Sequence, residues 1–599
     1  MKSILKNMLR VWLVAILLVP AAFASCCSSS GCATTTCNTC SSTGCSSCSD
    51  CCGCSDSSTC CSSCSDCDFC DYGKTWFSQR DQGSNQYLVM ELTAENRHQF
   101  DREEFYGDFA ITLGWQQNFS NYRLSSYFLT KNGSVSVGGN GANGAAAISD
   151  IRASDLGLST TFSGSAWLCP KYQDFIADFD LYLAWDEFIQ GLWTELRIPF
   201  VHSRWNAGLG TSVSTTGGDY YAFDTDNESE EQYAVIQAAG GPTPVVYTGN
   251  CALSSALLGN STFGDAPRLA AGKMVNCRRT ANGLGGIRLE IGYDFLRRER
   301  GSMGLALDVE FPAANKPAKN NCACDLYTFD PKVGSQHAWK VVGVLRAQYM
   351  LWDREESQRI DMYFDGRVAG MFSGETTRLL GLQANNSTLF NQYLLLKKYS
   401  VSGTTVAYQG LERAANKLTA RVKADPSVEA QVTLMFQYRN NGFVGNLGWN
   451  FFGRNAENVS VKCLCNADDY YYAIKGDRPV KMDDGTEGGF YSASDSDINQ
   501  TGDVIANDTT FDAFTSTLLT EAAIQFSSCC STTSGNGNVN VCPAAHPSYI
   551  SNTIFGALGY HWDDVDWKPY LGVLGKVDIG SKNTALRLWG VYLKGGICF

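Results

Sequence analysis

The stretch Trp589-Gly590-Val591-Tyr592-Leu593-Lys594-Gly595-Gly596-Ile597-Cys598-Phe599 decides the fold. Trp589, Val591, Leu593, Gly595, Ile597 and Phe599 share one face. Tyr592, Lys594, Gly596 and Cys598 share the other. Period-two alternation is the mark of a β-strand with one apolar face.

The same pattern recurs upstream. Val428, Ala430, Val432, Leu434, Phe436 and Tyr438 alternate with Glu429, Gln431, Thr433, Gln437 and Arg439, Met435 being the exception. Asn440-Asn441-Gly442 then reads as a hairpin turn, because Asn and Gly tolerate positive φ. The return strand puts Phe443, Leu447, Trp449 and Phe451 on one face. Further alternating runs start near Phe105, Phe175, Ile287, Met303 and Ile360. Each is long enough for a tilted strand to cross a bilayer, which takes about 9–11 residues. The apolar face is rich in Phe and Trp at segment ends, and the polar face carries charge of both signs. A water-soluble sandwich would put such charge in solvent, whereas a membrane barrel puts it in its lumen.

Composition agrees. The chain has 599 residues, only 18% charged and 12% aromatic, with 58 glycines and 14 prolines. A closed β-barrel is the main way one domain reaches this size. A net charge of −13 argues against a nucleic-acid partner, which requires Lys/Arg patches. Residues 1–24 read as a secretory signal: Lys2, Lys6 and Arg10 lead an apolar core, and Ala22-Phe23-Ala24 offers a cleavage site. Cys26 after Phe23-Ala24-Ser25 leaves lipidation as an alternative. No other apolar run reaches the roughly 18 residues of a spanning helix, so an exported chain that lives in a membrane does so as a barrel.

The expected organisation is a signal peptide at 1–24, a Cys/Ser-rich low-complexity tract at 25–71, a pre-barrel segment at 72–103 and an outer-membrane barrel at 104–599. The expected fold class is all-β, a transmembrane antiparallel up-and-down barrel of about 14–18 strands with long extracellular loops and a disordered N-terminal tract. Fourteen strands are read directly, among them 121–130 and 154–167. A hidden pair using 399–409 or 459–465 would raise the count to 16 or 18. An even number puts both barrel ends, and the tight turns near 187–189, 297–301, 353–356, 440–442 and 563–567, on the periplasmic side. The connections 203–284, 313–337, 373–427 and 454–549 then lie outside, and 131–153 must be a long periplasmic connection. A short helix is possible at 86–99, within reach of the pore.

Of 26 cysteines, 15 lie between Cys26 and Cys70. Few apolar residues separate them, so this tract cannot form a core. Disulfides, a metal or redox cluster, or disorder without a role all remain open, with export favouring disulfides. The disulfide candidates are Cys37, Cys40, Cys45, Cys48, Cys61, Cys64, Cys67, Cys70, Cys322, Cys324, Cys463, Cys465, Cys529, Cys530 and Cys542. The five histidines form no H-E-x-x-H pair, and no nucleophile elbow, P-loop or dinucleotide fingerprint stands out. No enzyme activity, cofactor or metal is expected.

The terminal stretch ending in Phe599 resembles the C-terminal strand of bacterial outer-membrane barrels, in which a terminal Phe is the insertion signal for the assembly machinery. The whole chain looks like a bacterial outer-membrane porin. Its Cys-rich tract is similar to the disulfide-linked outer-membrane proteins of chlamydiae and similar intracellular bacteria. Gln99-Phe100-Asp101-Arg102-Glu103-Glu104-Phe105-Tyr106-Gly107 and Ile198-Pro199-Phe200-Val201-His202-Ser203-Arg204-Trp205 look like motifs of large barrels from such organisms. The resemblance implies a diffusion pore in a Gram-negative-type outer membrane, with periplasmic termini. Its partners would be outer-membrane lipid, the barrel assembly machinery and further copies of itself through disulfides. The expected pore lining is Asp108, Asp178, Asp180, Arg197, Arg288, Glu290, Asp308, Glu310, Arg346, Asp361, Arg367 and Arg439. A structural or adhesive surface barrel is the alternative.

Overall fold

The computed structural model describes residues 72–97, 104–119, 121–138, 150–156, 158, 162–214, 250–260, 266–313, 325–334, 338–354, 358–382, 389–403, 405–426, 428–475, 496–498, 504–507, 524–526, 539–580, 583 and 585–599. The signal, the Cys tract, Cys322, Cys324, Cys529 and Cys530 lie outside them.

Twelve antiparallel strands pair in chain order and close into a ring. They are β1 (Tyr106–Asn118), β2 (Lys171–Ala184), β3 (Leu192–Asn206), β4 (Arg279–Leu284 and Ile287–Arg298), β5 (Gly301–Phe311) and β6 (Lys340–Arg354), followed by β7 (Gln358–Met371), β8 (Val428–Asn440), β9 (Phe443–Arg454), β10 (Tyr549–His561), β11 (Pro569–Gly580) and β12 (Leu588–Cys598). β4 is interrupted at Gly285-Gly286, where Gly286 takes φ +129°, a region that favours glycine. The seam runs between the first and last strands, from Asp108 opposite Cys598 to Asn118 opposite Leu588. Beyond it, Gly107 and Phe599 exchange backbone hydrogen bonds of 2.8 and 2.9 Å.

The barrel class is as expected, but the strand number is twelve. Residues 121–130 contain a helix, Tyr122–Phe128, whose Leu124, Tyr127 and Phe128 are buried at helical spacing. Residues 154–167 are split between a 3-10 turn and a short strand, Ser163–Leu168, outside the ring. The proposed hidden pair also lies outside it, in Leu395–Ser402, Thr405–Arg413 and Asn458–Leu464. Two strands vanish from one connection, so parity survives. All the tight turns stay at one end, and 119–170, with its segment 131–153, moves to the other. Every long connection therefore lies at a single end, the asymmetry of outer-membrane barrels.

The described residues of those connections are packed together. Leu124, Phe128, Ile151, Leu257, Phe329, Leu380, Leu396, Leu418, Val422, Tyr472 and Ile524 join one buried apolar cluster. Small sheets frame it, such as Gly374–Leu379, Thr419–Asp425 and Asn458–Leu464. This cap rests on the outer end of the barrel.

Alternation decides which side chains leave the barrel wall. Leu113, Ile291, Leu305, Leu307, Leu447, Leu558 and Val573 face outward and are exposed, Leu447 and Leu558 each to 63%. Exposed aromatics gather in two belts. Phe188, Phe295, Tyr349, Trp352, Phe443, Tyr560, Trp562 and Trp567 ring the turn end; Trp115, Phe119, Phe175, Phe311, Trp339, Phe372 and Trp449 ring the cap end. No helix among the described residues is long and apolar enough to cross a membrane.

Candidate functional site

The inward positions give the lumen two unlike halves. The wall from β2 to β7 is ionic. Arg197 bonds Asp178, and Arg288 bonds Asp308. Arg367 reaches Asp308 at 3.1 Å, Glu290 at 2.8 Å and Asp365 at 2.8 Å. Arg346 reaches Glu290 at 3.0 Å, Glu195 at 2.9 Å and Asp365 at 3.2 Å. All of these groups are buried. The wall from β8 to β12 is largely uncharged, with Thr433, Gln437, Asn446, Asn450 and Thr553 among Met435, Phe555, Tyr570 and Tyr592. Its buried charges are Lys576 and Lys594 in mid-wall and Glu429 and Arg454 towards the cap end.

Residues 72–97 fill the space between these halves. The segment starts in the cap, where Gly73 and Lys74 donate backbone hydrogen bonds to Leu129 and Tyr127 and Thr75 donates to Pro543. Phe77 joins the cap's aromatic cluster beside Tyr127, Trp205 and Phe329. Arg80 then donates to Asn450 at 3.0 Å. Arg288 and Arg197 donate to the carbonyls of Gly83 and Asn85 at 3.2 and 3.4 Å. A short helix, α1 (Gln86–Met90), follows. Tyr87 stacks on Phe555, ring centroids 5.0 Å apart. Leu92, at φ 64°, sits over Gly559 and Gly572, which face each other across β10 and β11. A Cβ on Gly572 would stand 2.3 Å from Leu92 Cδ1. At the turn end, Asn96 donates to Asp108 at 2.8 Å. Arg97 bonds Asp180 and reaches Glu195 at 2.8 Å, and Glu95 bonds Arg439. The segment thus runs the length of the lumen, and no strand pairing joins its described residues to the wall.

Five of these bonds run from a wall cation to a backbone carbonyl of the segment. The strongest case is Lys594. Its Nζ donates to the carbonyls of Leu88 (2.7 Å), Val89 (3.0 Å) and Glu91 (2.9 Å) and to Thr93 Oγ1 (3.1 Å). The carbonyls at a helix C-terminus lack intrahelical donors and carry partial negative charge, so an ammonium satisfies both needs.

In the cap, Trp76 is held between two cations. Lys332 Nζ lies 3.3 Å and Arg378 Cζ 4.2 Å from its ring centroid. Arg378 is paired with Glu457 at 2.6 Å, while Lys332 donates to the Phe77 carbonyl at 2.6 Å. Burial lowers Lys332 to about 7, with Arg378 adding to the shift. Glu457 is buried, yet Arg378 and Arg454 hold it down to about 2. Burial lowers His546 to about 3.

A cavity of about 50 Å³ lies between the segment and the wall, lined by Arg80, Asp81, Tyr172, Tyr549, Lys576 and Asp578. A second, of about 20 Å³, lies beside Arg97, Arg346 and Tyr363. Each has room for a few waters.

The residues expected to line a pore separate clearly. Asp108, Asp178, Asp180, Arg197, Arg288, Glu290, Asp308, Glu310, Arg346, Asp361 and Arg367 are buried inside the wall. Arg439 lies at the turn rim, also bonded to Asp563 at 2.5 Å. Glu310 faces Lys340 at 3.4 Å, and Asp361 faces Arg359 at 2.5 Å. Sequence reasoning left Glu195, Asp365 and Lys340 out of the lining, although each sits on the polar side of an alternating run, and it put Lys594 on the polar face without giving it a site role. It placed a possible short helix at 86–99 within reach of the pore, where the structure has Gln86–Met90, but it missed Arg97 and the extent of the filling over 72–97, because no periodicity marks them. Cys463 and Cys465 are disulfide-bonded.

A closed antiparallel ring with an apolar belt, two aromatic girdles and long connections at one end is built for lipid. The protein is an outer-membrane β-barrel. No protein family matches the sequence, and no curated protein does. Among solved structures, it is similar to an outer membrane channel of Pseudomonas putida F1, at 10% identity and TM-score 0.31 over 82% of this chain and 96% of that one. It is also similar to a TodX deletion mutant, a monoaromatic hydrocarbon channel, at 7% identity and TM-score 0.28 over 86% and 94%. The toluene transporter TbuX of Ralstonia pickettii gives 7% identity and TM-score 0.22 over 83% and 89%. Superpositions this loose carry no argument, and the architecture rests on the strand ring itself.

Proposed function

We propose that the protein is a gated outer-membrane channel for small polar solutes, closed here by its own segment 72–97. The observation that carries this reading is the contrast between wall and filling. The wall is a continuous hydrogen-bonded ring lined with charge and amides. The filling is a separate strap held only by side chains, backbone carbonyls and packing. Displacing the strap leaves the wall intact and opens a polar passage. The ionic half would then meet the solute with opposed Arg and Asp/Glu rows, a field that orients dipolar or charged molecules. Asp108, Asp178, Asp180, Arg197, Arg288, Glu290, Asp308, Glu310, Arg346, Asp361, Arg367 and Arg439 are its lining in this reading, and Phe599 marks the strand read by the assembly machinery. The hydrocarbons named for two of the similar channels suit this half poorly, because an apolar molecule cannot replace the polar partners that the strap now supplies.

The test is planar-bilayer conductance of the refolded chain against a variant lacking residues 72–97. The full chain should stay closed or flicker, and the shortened one should give stable ohmic steps. A shortened variant that folds, inserts and stays silent would sink the channel.

A second reading, a structural or adhesive surface barrel cross-linked through its cysteines, is favoured by the cap's own apolar core and the disulfide-bonded Cys463 and Cys465. The similarity of the Cys tract to chlamydial envelope proteins belongs to that reading. Its signature would be reductant-sensitive oligomers on gels together with a silent barrel.

A further inference from the structure

Tyr182 stands between two carboxylates. It lies opposite Asp108 across the β1–β2 pair and opposite Glu195 across β2–β3, and Glu195 lies opposite Glu290 on β4. Asp180 is the next inward position along β2. All five side chains are buried. Arg97, at the turn end of segment 72–97, reaches into this row. Its guanidinium bonds Asp180, lies 2.8 Å from Glu195 and holds its Cζ 5.5 Å from the centre of the Tyr182 ring. The Tyr182 hydroxyl donates to the Arg97 carbonyl at 2.8 Å.

The wall does not balance this row by itself. Arg346 serves Glu195 and Glu290, at 2.9 and 3.0 Å. Arg197 is opposite Asp180 in register but bonds Asp178. Lys594 gives its hydrogen bonds to the segment. Among the described residues, Arg97 is the only cation paired with Asp180. Asp108 is met by neutral donors, Asn96 at 2.8 Å and Tyr570 at 3.0 Å. Removing the segment takes Asn96 and Arg97 away together and leaves buried carboxylates short of partners, a costly state. The opened wall therefore favours another cation where Arg97 sits. Two carboxylates that receive a planar fork of N–H donors above an aromatic face suit a guanidinium better than a spherical ion.

We propose that Arg97 occupies a solute site of the wall, and that small organic cations bearing a guanidinium compete with it there and so release the segment. This rests on the channel reading given above and names its solute class. Arg97 is then a tethered substitute for the solute, and the gate opens to the chemistry that the wall is built to hold. Anions would add to the negative row and are refused.

The test adds methylguanidinium chloride to the refolded full chain, with tetramethylammonium chloride at equal concentration as the control. The two cations share a charge, but only the first donates hydrogen bonds. Hydrogen exchange of the backbone amides in 86–97 should quicken several-fold over the millimolar range with methylguanidinium alone. Exchange that ignores it, or answers both salts alike, would overturn the proposal. A second measurement uses the variant lacking 72–97 in planar bilayers. Methylguanidinium should block its potassium current, and Asp180→Asn in that variant should raise the blocking concentration about tenfold, through loss of a charge-assisted hydrogen bond. A variant that conducts and is not blocked overturns the site and leaves the channel standing. A folded variant that stays silent sinks the channel, and exchange in the full chain still decides the site.

Discussion

Lys594 Nζ lies 2.7 Å from the carbonyl oxygen of Leu88, tying the last strand to a helix that precedes the first. Three further acceptors on the same ammonium make this the densest contact between wall and strap. Lys594→Met removes the donor and keeps the stem. Charge-assisted hydrogen bonds contribute about 1.5–3 kcal/mol each, well short of additively, so a loss of roughly 3 kcal/mol is expected, near a hundredfold in the closed-to-open ratio. Single-channel open probability checks this. No change would show that the strap is held elsewhere.

Leu92 over Gly559 and Gly572 gives a steric handle. Leu92→Ala keeps the barrel strands untouched and removes the contact, at about 2–5 kcal/mol for a buried leucine. More frequent openings are expected, with unchanged migration of the folded barrel on cold gels. Gly572→Val should act in the same direction and more strongly, since its side chain claims the space that Leu92 occupies.

Arg367 bridges Glu290, Asp308 and Asp365. Arg367→Met leaves three buried carboxylates short of a cation. Breaking one side of a buried ionic cluster costs about 3–5 kcal/mol. The barrel's thermal unfolding, followed by loss of heat-modifiable migration, should move down by several degrees. Combining Arg367→Met with Glu290→Gln should recover part of that loss, the measure of coupling in a double-mutant cycle.

Acid should loosen the cap. His546 has a folded value near 3 against an ordinary 6.5, so between those values only the unfolded chain binds its proton. Glu457, near 2 against 4.5, behaves likewise at lower pH. In both windows the unfolded state holds more protons, so stability falls as pH falls. Protease resistance of the cap should therefore decline from about pH 6.5 downward. The slope between pH 6.5 and 4.5 should flatten in His546→Phe.

Lys332 adds a window of the same sign at higher pH. Its folded value near 7 lies below an ordinary 10.5, so below 7 the buried charge is carried in full. From 7 to 10.5 the unfolded chain alone holds the proton, and cap stability should climb with pH. Lys332→Met should abolish that climb in a protease-resistance series.

The hairpin 428–454 was legible because its alternation, its Asn-Asn-Gly turn and its lipid-facing Phe and Trp all agree. The terminal strand was legible for the same reason. Tyr122–Phe128 was misread because Leu124, Tyr127 and Phe128 suit a short strand almost as well as a helix when only a few residues are sampled. The cap strands alternate like barrel strands, and nothing local says which sheet they join. The strap was the hardest part. Its residues are buried by the barrel around them rather than by any pattern of their own, so burial at Gln86 or Glu91 has no signature in sequence. Charges on the polar faces were found, but their partners were not, because pairing across strands depends on register.

The seam between Asp108 and Cys598 joins the first strand to the last, which opens one simple order of assembly. Until β12 exists, the sheet is an open trough, and segment 72–97 can be laid into it sideways. The last strand then shuts the trough over its contents like a lid on a channel already wired. A chain assembled in that order never has to thread a finished ring, and the strap is in place before the ring closes.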